Sequence, residues 1–450
     1  MASTHRHLQI YDTGRPVSTM SSTEGQGSNL TITTAEGELI PGLPNDIAIR
    51  CLAKLSTGSR AIASAVSSVW RSALDPRLAF TSEARVALGA FGDNYLFLAF
   101  LQQKDNRIIL QRYLVDLVQM KGKTIEDPLL LPHVTEGLSK SARDMVSGGL
   151  LAEQLDGYAK LILHLEQSSF KSFSYYPPVA AINGKLFFLL EYAEFAYDVT
   201  LMLSYVPYCK NNNDCWAVLP SMNLRKRRCF VCGSIGKYIY VAGGLTNERL
   251  EGPFVGLGKR SAERFDTETN EWEILPSLNR ERVNAIGFVL NGRFCVMGGV
   301  GKGSRTSSEF YDPEARKWVL VPKMWPKPTY LSYFMRDVVV VENRAYAKRL
   351  NSEQTVFSLS VWEYCQERNR WSDLGVVIRH ISKLVLCDYR LVSVGDEFWI
   401  VGMKPDAEPG FNVLVCRPGT RSEREEGLKW RKLELGWDKH FILLLSCFSF

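Results

Sequence analysis

The stretch GKYIYVAGG, residues 236–244, puts a Gly-Lys turn, an aromatic-rich run and a glycine doublet into nine residues. GRFCVMGG, residues 292–299, has the same form. A short apolar run bounded by turn residues is the ordinary unit of an all-β chain, and one that returns at a fixed interval marks a repeat architecture. Four looser copies share the turn and the aromatic strand: GDNYLFLAF from Gly92, GKLFFLL from Gly184, NRAYAKR from Asn343 and GDEFWIVG from Gly395. From Gly184 onward the copies start 52, 56, 51 and 52 residues apart.

A second register runs in step with the first. Trp216, Trp272, Trp318, Trp371 and Trp430 recur at similar intervals, and the first three open the phrases WAVLP, WEILP and WVLVP. Phe265, Tyr311 and Tyr364 stand seven residues before Trp272, Trp318 and Trp371, and Asp266 and Asp312 follow the first two. DTETNEW and DPEARKW therefore read as hairpin turns opened by Asp. Two strands before this hairpin's own pair make four per repeat, and four-stranded sheets that stack on their neighbours around a ring form a propeller. The expected fold is mainly β, a propeller of six blades over residues 85–450. The first interval, Gly92 to Gly184, breaks the rhythm, and helix-like spacing near 130–170 predicts an insertion there.

Upstream the pattern changes. Residues 1–37 are rich in Ser, Thr and Gly and lack a hydrophobic period, the composition of a disordered leader. Residues 39–75 read as a small all-α module. Asn45 is placed to cap a helix with Ile47, Cys51 and Leu55 on one face, and Ala48 and Leu52 beside them. Gly58 is read as the break before a second helical run carrying Ile62, Val66, Val69, Trp70, Ala73 and Leu74, which Asp75-Pro76 stops. A unit of this size supports only a small core, so it should need a partner or a neighbouring domain.

Composition bounds the remaining classes. Hydrophobic residues at 46% and charged residues at 23% fit a soluble globular chain, and a net charge of +6 falls short of a nucleic-acid-binding tail. The N-terminal residues lack the apolar core of a signal peptide, and no apolar run reaches the roughly 20 residues of a membrane span. The ten cysteines are scattered, as in a reducing compartment. Neither a nucleic acid nor a membrane is expected as a partner. The apolar tail FILLLSCFSF is expected to be buried as a strand that closes the ring.

The doublets Gly243-Gly244 and Gly298-Gly299, with Asp266, Trp272, Asp312 and Trp318 at this spacing, resemble the kelch repeat. Leu43-Pro44, followed by helical spacing and then Trp70, resembles an F-box. Together, over residues 39 to about 435, the chain is similar to the plant F-box/kelch-repeat proteins. The resemblance implies a kelch-type β-propeller behind an F-box-like helical module. It also implies a non-catalytic substrate-recognition subunit of a Skp-cullin-F-box ubiquitin ligase. The F-box would bind a Skp-type adaptor and through it a cullin, while the propeller recruits a target protein for ubiquitination; no cofactor is implied. Carried over by position, Leu43, Pro44, Ile47, Leu52 and Leu55 supply the adaptor-facing apolar patch, and Trp70 packs the helices together. The sequence departs from the pattern in places. The repeats from Gly92, Gly184, Asn343 and Gly395 lack the doublet, Gln366 stands where Asp is expected, and AIASAVSS has smaller side chains than the family usually shows.

In an antiparallel four-stranded blade, the loop after the second strand and the link to the next blade share one face. Residues 246–261 and 300–307 are loops of the first kind; residues 221–228, 277–283 and 323–328 are links. They carry Arg225, Lys226, Arg227, Arg228, Lys259, Arg260, Arg280, Arg282, Lys302 and Arg305, which makes this face a candidate for holding an acidic or phosphorylated segment of the target. The plainer alternative is a solvated rim.

Other constellations carry less. Cys229 and Cys232, with Cys209 and Cys215 upstream, suggest zinc, but side chains three apart in a strand point to opposite faces and there is no second close pair, so no metal site is expected. RKRR at 225–228 has the composition of a nuclear-import cluster within an ordinary link; the expected location is the cytoplasm, the nucleus or both. The six histidines form no paired-ligand spacing, and no phosphate loop or nucleophile elbow is present. Two other readings stand beside the ligase subunit: a kelch scaffold without ligase association, and a propeller oxidase.

Overall fold

The computed structural model describes residues 38–55, 57–74, 85, 95–104, 107–117, 121–125, 179–194, 197–207, 215–224, 227, 229–245, 258–324, 337–353, 356–381, 389–403, 411–420, 424, 427–433 and 443–449. The leader at 1–37 and the insertion near 130–170 lie outside the described residues.

The helical module begins with a tight turn in which the Leu43 amide donates to the Ile40 carbonyl. Helix α1 (Asn45–Ala53) follows with Pro44 at its cap position. Asn45 is not the cap: its Oδ1 accepts from the Leu39 amide at 2.8 Å and pins the incoming chain. Helix α2 (Thr57–Val66) takes Gly58 into its first turn, so the break falls just before Thr57 instead. The second helical run is divided, because the Ser67 side chain accepts from the Trp70 amide and starts a new helix, α3 (Ser68–Ala73). Leu52, Ala53, Ala63 and Leu74 form the core, with Leu55, Trp70 and Ala73 packed against it. The Trp70 indole donates to the Leu39 carbonyl at 2.6 Å. Arg85, assigned from sequence to the start of the propeller, is buried and donates to the Ala53 and Leu55 carbonyls at the end of α1. It thus satisfies carbonyls that the helix leaves without internal donors.

Among the described residues, every later element is a strand, apart from single turns. Blade 1 opens with β1 (Tyr95–Lys104), β2 (Arg107–Asp116) and β3 (Lys121–Ile125). Blade 2 is β4 (Val179–Ile182), β5 (Lys185–Glu194), β6 (Tyr197–Tyr205) and β7 (Trp216–Leu219). Blade 3 is β8 (Val231–Ile235), β9 (Tyr238–Ala242), β10 (Ala262–Asp266) and β11 (Glu271–Leu275). Blade 4 is β12 (Ile286–Leu290), β13 (Arg293–Met297), β14 (Ser308–Asp312) and β15 (Lys317–Val321). Blade 5 is β16 (Val338–Val341), β17 (Arg344–Glu353), β18 (Val356–Cys365) and β19 (Arg370–Ile381). Blade 6 is β20 (Arg390–Val394), β21 (Glu397–Met403), β22 (Phe411–Cys416) and β23 (Trp430–Leu433). The last strand, β24 (Leu443–Ser449), pairs antiparallel with β1 and completes the sixth four-stranded sheet.

The core lies between the sheets. Separate apolar clusters join blades 2 and 3 through Phe187, Phe230 and Ile239, blades 3 and 4 through Tyr240, Phe294 and Val296, and blades 4 and 5 through Phe288, Met297 and Ala347. Tyr346 and Phe398 join blades 5 and 6, Leu98 and Trp399 join blades 6 and 1, and Phe97 meets Phe188 edge-on at 5.3 Å between blades 1 and 2. The packing therefore runs around a closed ring, in which one blade draws strands from both ends of the propeller segment. Deleting residues 440–450 removes β24, and we expect a fall in Tm of at least roughly 5 °C. A melting profile identical to that of the full chain would overturn this role. Among the described residues, no helix is long and apolar enough to cross a membrane.

Candidate functional site

Two surfaces are candidates for function, and the helical module holds the first. On α1, Ala48, Ile49, Leu52 and Ala53 form the inward stripe, so Ile47 and Cys51, one turn apart, face outward. Of the five residues assigned to an adaptor-facing patch, Pro44 and Ile47 are exposed, Ile47 at 40%, while Leu43 and Leu55 are half-buried. Leu52 does not belong to that patch: it is 3% exposed and forms the module's own core. Val66 and Val69 are 75% and 46% exposed. The sequence reading grouped them with Leu74 on one stripe, because it missed the break at Ser67 that restarts the helical phase.

The second surface is the propeller face to which the inter-blade links belong. Its loops meet as strand alternation requires: the Arg282 amide donates to the Lys259 carbonyl and Leu278 to Arg260, while Val283 and Val300 exchange backbone hydrogen bonds. Among the ten assigned cations, Arg225, Lys226 and Arg228 lie outside the described residues. Arg227 and Arg282 are not on the face. Their side chains are fully buried and pair with buried Glu263 at 3.0 Å and Glu309 at 2.9 Å. Burial pushes both guanidinium groups down from the usual arginine range, and the partner carboxylate opposes this.

Each pair is one copy of a repeated lock. Arg227 donates to the Ser261 hydroxyl and Arg282 to the Ser307 hydroxyl, so the motif Ser-x-Glu that leads into the third strand holds the arginine of the preceding link. Each glutamate also accepts from the link backbone, Glu263 from Asn223 and Leu224, and Glu309 from Asn279 and Arg280. A buried charge is tolerated when its remaining hydrogen-bonding sites are filled, as they are around these carboxylates. What remains exposed or half-exposed on the face is Lys259, Arg260, Arg280, Lys302 and Arg305.

The repeat markers have equally specific roles. Gly243 and Gly244 have φ of 68° and 97°, and a Cβ on Gly243 would lie 2.3 Å from the Arg282 carbonyl oxygen. The doublet ends β9 in a left-handed conformation, where the next blade's link passes too close for a side chain. Gly298 and Gly299 end β13 likewise, with φ of 70° and 88°. Asp266 accepts from the Glu268 and Thr269 amides, and Asp312 from Glu314 and Ala315, closing their turns. Phe265 and Trp272, Tyr311 and Trp318, and Tyr364 and Trp371 are directly paired across strands. The Trp272 indole donates to the Pro220 carbonyl and Trp318 to Pro276, both at 2.8 Å. The prolines that end the first two Trp phrases thus accept from the tryptophan of the next blade, whereas Pro322, which ends the third, accepts from the Asn369 side-chain amide at 2.9 Å.

Cys229 precedes β8 with φ of 55° and is buried; Cys232 lies within the strand, so the two do not share the strand assumed for them. Burial pushes the Cys295 and Cys416 thiols up to about 12, which keeps them protonated and poorly nucleophilic at neutral pH.

A closed ring of four-stranded blades built on this repeat, behind a helical module with exposed apolar residues, defines a kelch-type propeller protein with an N-terminal attachment module. Comparison with known proteins agrees. The F-box domain family matches residues 40–78, and the Kelch motif matches residues 226–279, which run from one inter-blade link to the next. The Arabidopsis thaliana F-box/kelch-repeat protein At1g16250 is 24% identical over 88% of this chain and 93% of its own length. The F-box/kelch-repeat protein SKIP20 of the same plant is 34% identical over 23% of this chain and 24% of its own. In both of its parts the chain is similar to the F-box/kelch-repeat proteins. Its two parts have the division of labour of a substrate adaptor: an F-box for a Skp-type adaptor and a propeller for a protein target.

Proposed function

We propose that this protein is the substrate receptor of a Skp-cullin-F-box ubiquitin ligase and performs no bond chemistry itself. The observation that carries the reading is the outward-facing apolar set Ile47, Val66 and Val69 on a module whose own core is already filled by Leu52, Ala53, Ala63 and Leu74. Apolar side chains left outside a complete core fit a partner helix better than water. Bound to the adaptor, the propeller would hold its target at high effective concentration near the transferred ubiquitin.

Capture of the full chain by purified Skp adaptor tests this. Ile47→Asp combined with Val69→Asp should abolish capture without lowering Tm, since neither side chain is buried. A well-folded wild type that fails to bind the adaptor would refute the ligase reading and favour a scaffold.

A further inference from the structure

The target-facing side of the propeller is not level, and the glycine doublets explain why. In blades 3 and 4 the second strand stops at the doublet, at the level where its partner first strand begins: Val231 pairs with Ala242 and Ile286 with Met297. In blade 2, Val179 pairs with Phe188, yet β5 and β6 stay paired from Leu189 to Glu194. In blade 5, Val338 pairs with Ala347, and the β17–β18 hairpin continues from Lys348 to Glu353. Six further residues at about 3.3 Å each raise these hairpins by up to about 20 Å along the strand. Among the described residues, blades 3 and 4, side by side, therefore form a low sector between raised hairpins on blades 2 and 5.

That sector is where the exposed cations lie. Lys259, Arg260, Arg280, Lys302 and Arg305 stand on its loops, with Glu281 as the acidic residue among them in the described part. Glu281 lies 3.9 Å from Lys259, a weak surface pair. The Arg280 guanidinium donates to the Gly303 carbonyl, which ties two of the loops together. Glu263 and Glu309, beneath the sector, are held by buried Arg227 and Arg282.

We infer that the sector over blades 3 and 4 docks an extended anionic segment of a target protein, its carboxylates or phosphates on Lys259, Arg260, Arg280, Lys302 and Arg305. The inference rests on the substrate-receptor reading and names the class of segment received.

The test is fluorescence anisotropy with the full chain and two fluorescein-labelled decapeptides, one alternating Glu and Gly, the other alternating phosphoserine and Gly. Binding should weaken with salt. Lys259→Glu, Lys302→Glu and Arg305→Glu together should lower affinity about tenfold, as expected for a few rim charges. The same positions changed to Gln should give a smaller loss. A control triple on the opposite rim, Arg293→Glu, Lys317→Glu and Arg368→Glu, should change affinity by less than about twofold, which separates a site from general polyanion attraction. Tighter binding of the phosphoserine peptide identifies phosphate as the source of charge; equal binding identifies simple acidity. Failure of both peptides to bind wild type, or equal loss from both triples, overturns the site. Adaptor capture by the same variants should be unchanged, so loss of the F-box reading and loss of this one are separately visible.

Discussion

Blades 3 and 4 place a buried cation on the inter-blade link and answer it with a carboxylate on the third strand; blade 5 reverses the signs. There the link contributes Asp337, which pairs with Lys348 of β17 at 2.5 Å and with Arg390 of blade 6 at 3.6 Å, and accepts from the Leu391 amide. Lys348 occupies the register position that Gly243 holds in blade 3, and its ammonium reaches the Tyr389 carbonyl. The difference teaches that the position requires a compensated polar contact to the neighbouring link, and that glycine or lysine can provide it. Glycine lets the next link's backbone come close and ends the strand. Lysine spans the gap with a side chain and lets the strand run on into a raised hairpin.

The strongest way to break this comparison is to remove one partner of a lock. Arg282→Ala leaves Glu309 buried without its cation and should cost about 3–5 kcal/mol, read as a lower urea midpoint. A loss under about 1 kcal/mol would mean that water or Arg280 takes over. Gly243→Ala combines a left-handed backbone with a collision against the Arg282 carbonyl, and should cost about 2–4 kcal/mol. Gly236→Ala has φ of 57° and open space around the added methyl, so about 1 kcal/mol is expected. Equal losses at the two glycines would show that the close approach of blade 4 contributes nothing.

The smallest effect concerns acid. Burial alone would raise the Asp337 carboxyl, but Lys348 and Arg390 outweigh it and hold the group below the usual carboxylate range. A lowered folded value contributes stability that is present above the unfolded value, about 3.9, and lost as pH falls through the folded one. Urea midpoints between pH 6 and pH 3 should therefore fall less steeply for Asp337→Asn than for wild type. Parallel profiles would sharpen the comparison differently, by showing that the blade 5 contact stabilises through geometry and not through charge.

The repeat was legible because its markers are local. A turn glycine, an aromatic seven residues before a tryptophan and an Asp-opened hairpin are each set by backbone sterics and neighbouring side chains, so Phe265, Asp266 and Trp272 could be given their places from spacing alone. The helical module was legible in outline for the same reason, since 3.6-residue periodicity is a property of one segment. Its details depended on contacts that the period does not record: Asn45 bonded to Leu39 in place of capping, Ser67 restarting the helical phase, Leu52 turned inward and Arg85 returning to close α1. The candidate face shows the limit most plainly. Ten basic residues look alike in a list of loop charges, yet Arg227 and Arg282 fold under the loops because Ser261-x-Glu263 and Ser307-x-Glu309, more than 20 residues away in the chain, provide their partners. Charge is written residue by residue, whereas burial is a property of what packs around it, and that was decided where one blade meets the next.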